Sequence, residues 1–554
     1  MAPRFTFENR PLHWFSAYVC LQTLLVLAWY YWKLRHSIVD DAFISFTYAR
    51  NLLQGNGLTW DGVYVEGYTN FFFLLLLAAL HFLTGISFVS ATYLINGAAY
   101  LGILALTLRI FRHLPSADPP LKGLLALMGI ALTVTSLPLV AWIFGGLESL
   151  FFAFLCALCL YQTLFYIRAM KMPDIKASLA LGLLLALASL TRPEGFLITG
   201  FCGVWLYIIA LYKKQHRHLL PPLSLWAMAA CWLLIIVPYL TWKQQYYGDL
   251  LPNTFYAKCT GLSPRQFFNY SIRYIFYFFC NVPLAGFVIL PAAFYLLARR
   301  TADITILFLL SFILFYFAYS YSAGGDYMAY FRFLLPVVIA ITWLSFHVLI
   351  ALSQHFARFS REIAVALTLL GGLQAMNLNS LNEDLAVVTS SAFIPIIAER
   401  LPAGSLIALD MAGSLPYYLP QYHYIDMLGL NDRYIARQDV REDRHRNTGI
   451  AGHMKGSGKY VLDRDPDIII MTSGLEGKPR HRSNWQLIDD PRFARDYQRI
   501  LFYPGAAMEK RLNLQPTPTP QLILGFYIHN RMALYFKDML DQTPAYAAMI
   551  DSTH

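Results

Sequence analysis

Asp40 and Asp41 stand side by side directly after the first long apolar run of the chain. A carboxylate is costly inside hydrocarbon, so a pair at the mouth of such a run is a polar boundary or a site that handles a proton, a sugar hydroxyl or a cation. Adjacent side chains do not normally point together. One can act as a base and the other as an orienting group, and either can instead cap the helix that follows. The block Glu66-Gly67-Tyr68-Thr69-Asn70 closes the loop that these acids open.

Four further polar blocks interrupt apolar sequence. In Thr191-Arg192-Pro193-Glu194-Gly195 an Arg and a Glu sit where a helix must break, which suits a phosphate site or a plain interfacial ion pair. Glu148, after Gly145-Gly146-Leu147, either faces the same space or caps the next helix. Between Tyr246 and Lys258, Tyr247 offers an aromatic surface while Asp249, Asn253 and Lys258 offer polar contacts; a lysine near a membrane surface suits a lipid phosphate. Ordinary interfacial aromatics with an interfacial lysine have the same composition. In Gly324-Gly325-Asp326-Tyr327 and the following Tyr330-Phe331-Arg332-Phe333, Asp326 can hold a hydroxyl and Arg332 a phosphate. The stretch lacks the glycine-rich run ending in Lys-Ser/Thr that cradles nucleotide phosphates. Asp410 and Asp426, further along, either contact an acceptor or brace a domain through turns. The lone His453 has no metal-ligand spacing around it.

The elements that must position these groups are membrane helices. Hydrophobic residues make up 57% of the 554 residues and charged ones 14%, outside the range of soluble domains. Lys and Arg exceed Asp and Glu by 43 to 33, with the excess largely in short loops, where it sets topology and implies no nucleic-acid partner. Spans are expected near 14–34, 90–111, 121–141, 148–168, 177–191, 196–212, 221–242, 275–298, 302–320, 331–350 and 361–376. Residues 71–83 are apolar but short, and a full crossing there would put Arg109, Arg112 and Lys122 on the wrong side. The expectation is therefore about 11 full spans plus one short juxtamembrane or re-entrant segment.

With the N-terminus inside, the acidic and aromatic blocks gather on the outer face, in loops 36–70 and 243–272 and at the later breaks. Residues 1–376 then form a transmembrane core and 377–554 an extracytoplasmic soluble domain of α/β or mixed type. Short strands at 405–409 and 467–471 are its clearest elements. Six of the seven cysteines lie within or beside apolar segments, and the polar C-terminal third has none, so neither a disulfide framework nor a cysteine metal site is expected there.

The blocks DDAFISFTYARNLLQGNGLTW, VEGYTN, TRPEG, YYGDLLPNTFYAK, GGDYMAYFRFLLP and ALDMAGSLPYYLP with IDMLGLND together resemble the bacterial GT-C arabinofuranosyltransferases. The mycobacterial terminal β-(1→2) enzymes and those that arabinosylate type IV pilin are the nearest in wording. The resemblance spans roughly residues 14–470. It implies a multi-pass GT-C enzyme of the bacterial cytoplasmic (inner) membrane that moves arabinofuranose from a polyprenyl-phosphate donor to a glycan or glycoprotein acceptor outside the cell membrane. By motif, Asp41 becomes the catalytic candidate with Asp40 beside it. Glu66, Tyr68, Arg192, Glu194, Tyr247, Asp249, Asn253, Lys258, Asp326, Arg332, Asp410 and Asp426 become donor- or acceptor-binding candidates. A divalent cation could bridge the donor phosphate to Asp40 or Asp326, yet no residue pattern demands one, so the metal is unknown and no cofactor is certain. Another lipid-linked pentose or hexose is compatible with the same cations. A flippase or transporter fits less well, because the polar blocks do not describe a two-sided path.

Overall fold

A computed structural model describes residues 10–112, 133–134, 136–212, 222–258, 264–282, 288–326, 328–355, 383–440, 453–514 and 520–553. Among these, six helices are long and apolar enough to cross a membrane: Phe88–Arg112, Ser149–Ala169, Glu194–Tyr212, Leu223–Tyr247, Ile304–Ser322 and Ala329–Leu352. Arg10–Leu34 is a further helix of 25 residues, at the expected first span.

Two apolar helices are shorter, Ile175–Thr191 with 17 residues and Phe71–Thr84 with 14. At 1.5 Å per residue the latter reaches about 21 Å against roughly 30 Å of hydrocarbon, too little for an upright crossing. The span expected at 275–298 is not a single helix. The chain forms Pro264–Asn281 and then Leu290–Ala298. Most of the span expected at 121–141, and all of 361–376, lie outside the described residues, as do the basic residues Lys122, Lys213, Lys214, Arg217, Arg358 and Arg361.

Ser149–Ala169 lies at the centre of the bundle, packed on Phe88–Arg112, Ile175–Thr191, Glu194–Tyr212 and Leu335–His355. Burial divides the helices. Of the apolar window in Ala329–Leu352, 94% is buried inside the protein, against 22% of that in Leu223–Tyr247. A helix apolar on all sides must cover its surface with protein or with lipid; the first is interior and the second presents an apolar outer face.

The C-terminal region is built on a five-stranded mixed sheet with strands β1 Leu406–Leu409, β2 His423–Asp426, β3 Ile468–Ile470, β4 Tyr497–Phe502 and β5 Leu524–His529. Their order is β2-β1-β3-β5-β4, with β1 parallel to β2 and β3, and β5 antiparallel to β3 and β4. β3 is buried along its whole length, as the uninterrupted Ile468-Ile469-Ile470 requires of a central strand covered on both faces.

This domain docks on the helix Asp40–Leu53, against which the short helix Ser414–Tyr418 packs. The Phe43 ring lies 5.4 Å from that of Tyr417 and 5.6 Å from that of Tyr418. The segment 36–70 therefore carries the C-terminal domain on one side and the helical bundle on the other.

Candidate functional site

A cavity of about 600 Å³ opens where these parts meet, and Asp41, Tyr68, Glu148, Arg192, Glu194, Lys258, Asp326 and Arg332 all line it. Residues spread over most of the membrane portion of the chain thus share one space.

Local sequence explains how each cluster is presented. Pro193 cannot continue a helix and forces the residue before it into extended backbone, and Arg192 has φ −155° and ψ 148°. The turn is tight: a β-carbon at Gly195 would lie 2.3 Å from the Ser189 nitrogen. Arg192, thrown off the helix end, donates to Glu194 through Nε at 3.2 Å and Nη2 at 2.8 Å, and through Nη1 to Glu148. Glu148 occupies the residue before Ser149–Ala169 but makes no side-chain cap. Its other oxygen accepts from Asn70 Nδ2 at 2.8 Å. Of the two readings the sequence left open for Glu148, the carboxylate takes the one facing the cavity.

At a further part of the cavity lining the chain departs from ordinary backbone. Gly324 and Gly325 have φ of +85° and +78°, followed by Tyr330 at +59° and Phe331 at +51°. Left-handed conformations at two successive non-glycine residues are costly and collect at functional sites. Here they aim Arg332 at Asp326, which accepts at 2.9 Å from Nε and 3.2 Å from Nη2. The Arg192 and Arg332 guanidinium carbons each lie 5.3 Å from the centre of the Phe333 ring, so one aromatic ring carries both cations.

Lys258 ends the helix Asn253–Lys258, with Nζ 3.9 Å from Asp41 Oδ2. That separation makes an ion pair without a direct hydrogen bond. The lysine side chain retains 29% of its surface and lines the cavity. Burial in the cavity, assisted by Arg332 and Arg192, lowers the Lys258 pKa, while Asp41 and Asp326 oppose the shift. Among the described residues no group of three or more His, Cys, Asp or Glu side chains could hold a metal ion.

The neighbouring acid is used differently. Asp40 turns away from the cavity into the C-terminal domain, where it accepts from Gly413 N at 2.9 Å, Ser414 N at 2.8 Å and Ser414 Oγ at 2.6 Å. Gly413 comes so close that a β-carbon there would lie 1.9 Å from the Asp40 carbonyl oxygen. Neither acid is the cap of its helix, since the N-cap residue is Val39. Burial, with the negative charges of Asp384 and Asp41, pushes the Asp40 pKa up to about 7 against the pull of the Ser414 hydrogen bonds. Both Asp40 oxygens are engaged by the other domain, so Asp40 makes a docking contact in this structure and does not line the cavity that holds Asp41.

Six of the binding candidates also lie outside this cavity. Glu66 pairs with Lys243 at 2.7 Å, and the Tyr247 hydroxyl meets Tyr68 at 3.0 Å and the Leu58 carbonyl at 3.1 Å. Asp249 holds Arg437 at 2.8 Å and Arg433 at 3.1 Å, and Asn253 Nδ2 donates to the carbonyls of Gly429 and Leu430. Asp410 accepts from Thr472 N at 2.7 Å, while Asp426 accepts from the backbone nitrogens of Leu428, Gly429 and Asn431. Burial raises both aspartates to about 7. Asp249 and Asn253 brace the segment around 249–253 against the C-terminal domain. Asp426 shapes the turn at the end of β2, and Asp410, just past β1, braces that strand against Thr472, so the bracing and turn readings, rather than contact with this cavity, describe their geometry.

The sequence-level candidates omitted Ser45 and Asn70, although Asn70 lies in the quoted VEGYTN block. Ser45 Oγ and Asn70 Nδ2 are 3.0 Å apart, so Asn70 links the first loop to Glu148.

A family model described as a domain of unknown function, DUF8728, matches residues 383–510. No curated protein matches the chain. Among solved structures it is similar to ArnT from Cupriavidus metallidurans bound to undecaprenyl phosphate, at 14% identity over 92% of this chain and 98% of that one, with a TM-score of 0.49. It is also similar to the Archaeoglobus fulgidus oligosaccharyltransferase in the apo form, at 12% identity over 97% of this chain and 78% of that one, with a TM-score of 0.45.

Proposed function

We propose that the protein is a GT-C glycosyltransferase that transfers arabinofuranose from a polyprenyl-phosphate donor to a glycan or glycoprotein acceptor. On this reading it works at the outer face of the bacterial cytoplasmic membrane, with 1–376 as catalytic core and 377–554 as extracytoplasmic domain. The observation that carries the proposal is the meeting of Asp41 with Lys258, Arg192 and Arg332 in one cavity between apolar helices and a polar domain. Three cations beside an apolar bundle suit a phosphate on a hydrocarbon tail, and a carboxylate beside them suits activation of a hydroxyl. The sequence blocks that resemble the arabinofuranosyltransferases supply the sugar.

In the reaction the acceptor oxygen forms a bond to the anomeric carbon as that carbon's bond to phosphate oxygen breaks. Polyprenyl phosphate leaves with the electron pair, and Asp41 takes the hydroxyl proton. Lys258 is the cation best placed to follow the phosphate, since its pair with Asp41 is looser than those of Arg192 with Glu148 and Glu194 and of Arg332 with Asp326. Arg192 and Arg332, held by their carboxylates, supply fixed positive charge where the leaving group becomes more negative.

Purified protein incubated with a panel of polyprenyl-phosphate sugars should release polyprenyl phosphate from the arabinofuranose donor. Release only from a different sugar would overturn the arabinose assignment. No release from any donor, with movement of labelled lipid between leaflets, would overturn the transferase reading itself.

A further inference from the structure

A second cavity, of about 510 Å³, lies where the first outer loop meets the C-terminal domain. It backs onto the first. Val65 and Asn431 line the outer cavity while Gly67 and Leu430 line the inner one. The wall between them is sutured by the Tyr48 hydroxyl, which donates to Val65 O at 2.6 Å, accepts from Gly67 N at 3.0 Å and lies 3.2 Å from Asn431 Oδ1. Gly67 is needed for this closeness, because a β-carbon there would come within 1.8 Å of Asn431 Oδ1.

The outer cavity holds a rigid aromatic platform. The Tyr434 and Tyr460 rings are stacked with centroids 4.3 Å apart and planes at 22°. Tyr460 donates to Asp432 Oδ2 at 3.0 Å and accepts from Arg464 Nη1 at 2.9 Å, which fixes the lower ring. Tyr434 keeps 51% of its surface exposed. The rim mixes donors and acceptors. Arg433 and Arg437 share Asp249, and Asp61 and Asp432 offset Arg464 and the remaining charge at the rim, so no net charge selects an ionic ligand.

We infer that this outer cavity is a binding site for an uncharged glycan chain, the part of the acceptor remote from the hydroxyl that reacts; the inference rests on the glycosyltransferase reading. An open ring face packs on the apolar face of a sugar, and paired donors and acceptors at its edge match sugar hydroxyls. An ionic partner would call for an excess of one charge, which the cavity lacks.

The test titrates the full-length protein in detergent with arabinofuranose oligosaccharides and with galactan oligosaccharides, without any donor, and separately measures donor turnover and the acceptor KM. At least one oligosaccharide is expected to bind. Tyr434→Ala and Arg464→Ala are each expected to weaken that binding and raise the acceptor KM by roughly tenfold, with Tyr434→Phe close to the parent. No binding of either oligosaccharide by the parent overturns the inference while donor turnover still supports the transferase. Binding that both alanine variants retain overturns it as well. Glycan binding lost in those variants without turnover of any donor would leave the glycan site standing and remove the transferase. Binding of a protein acceptor alone, weakened by the same substitutions, overturns the inference in favour of a polypeptide site.

Discussion

Replacing Asp40 and Asp41 one at a time separates two roles that adjacent carboxylates take here. In Asp40→Ala the Gly413 and Ser414 backbone N–H groups lose their acceptor at a buried interface. Each such donor left without a partner costs on the order of 1–3 kcal/mol, so about 3 kcal/mol of docking free energy is lost, roughly a hundredfold in the opening equilibrium. The assay is native-state hydrogen exchange, and protection of the amides around Gly413 and Ser414 should fall by about two decades while the sheet amides of β3 stay protected. The wild-type contact should also respond to pH. Because the Asp40 pKa rises from its ordinary value near 4 to about 7 on burial beside Asp384 and Asp41, the docked form binds more protons than the undocked one between those values. Docking is then strongest below pH 4, weakens as pH rises to about 7 and is flat above. Unchanged protection in Asp40→Ala, or protection that grows from pH 4 to 7, would refute the reasoning.

Other outcomes follow from the inner cavity. Asp41→Asn should leave the fold and polyprenyl-phosphate affinity near wild type while lowering the turnover rate by roughly 10²–10⁴, the usual weight of a general base; a rate within fivefold of wild type would remove Asp41 from that role. Lys258→Ala should weaken polyprenyl-phosphate binding more than Lys258→Arg does, with the difference shrinking at high salt, and equal affinities in the two variants would speak against a phosphate contact. Chelation should leave at least part of the activity, and complete loss restored by one divalent cation would reject a metal-independent reaction.

Much of the scaffold follows from the sequence alone, because its causes are local. Apolar runs without charge become helices, Pro193 breaks one and turns Arg192 outward, and an isoleucine triplet becomes a buried central strand. The two carboxylates at 40 and 41 are legible as a polar feature for the same reason. Their division of labour was not, since it depends on the close approach of Gly413, distant in sequence, to one of them. Glu148 was equally compatible with a cap until Arg192 and Asn70 were brought to it. The order of the five strands, and the placing of Asp249, Asn253, Asp410 and Asp426 in braces and turns rather than at the cavity, likewise came only from tertiary structure. A residue's type fixes what chemistry it can do; which group it meets is set by packing between segments whose sequences carry no record of one another.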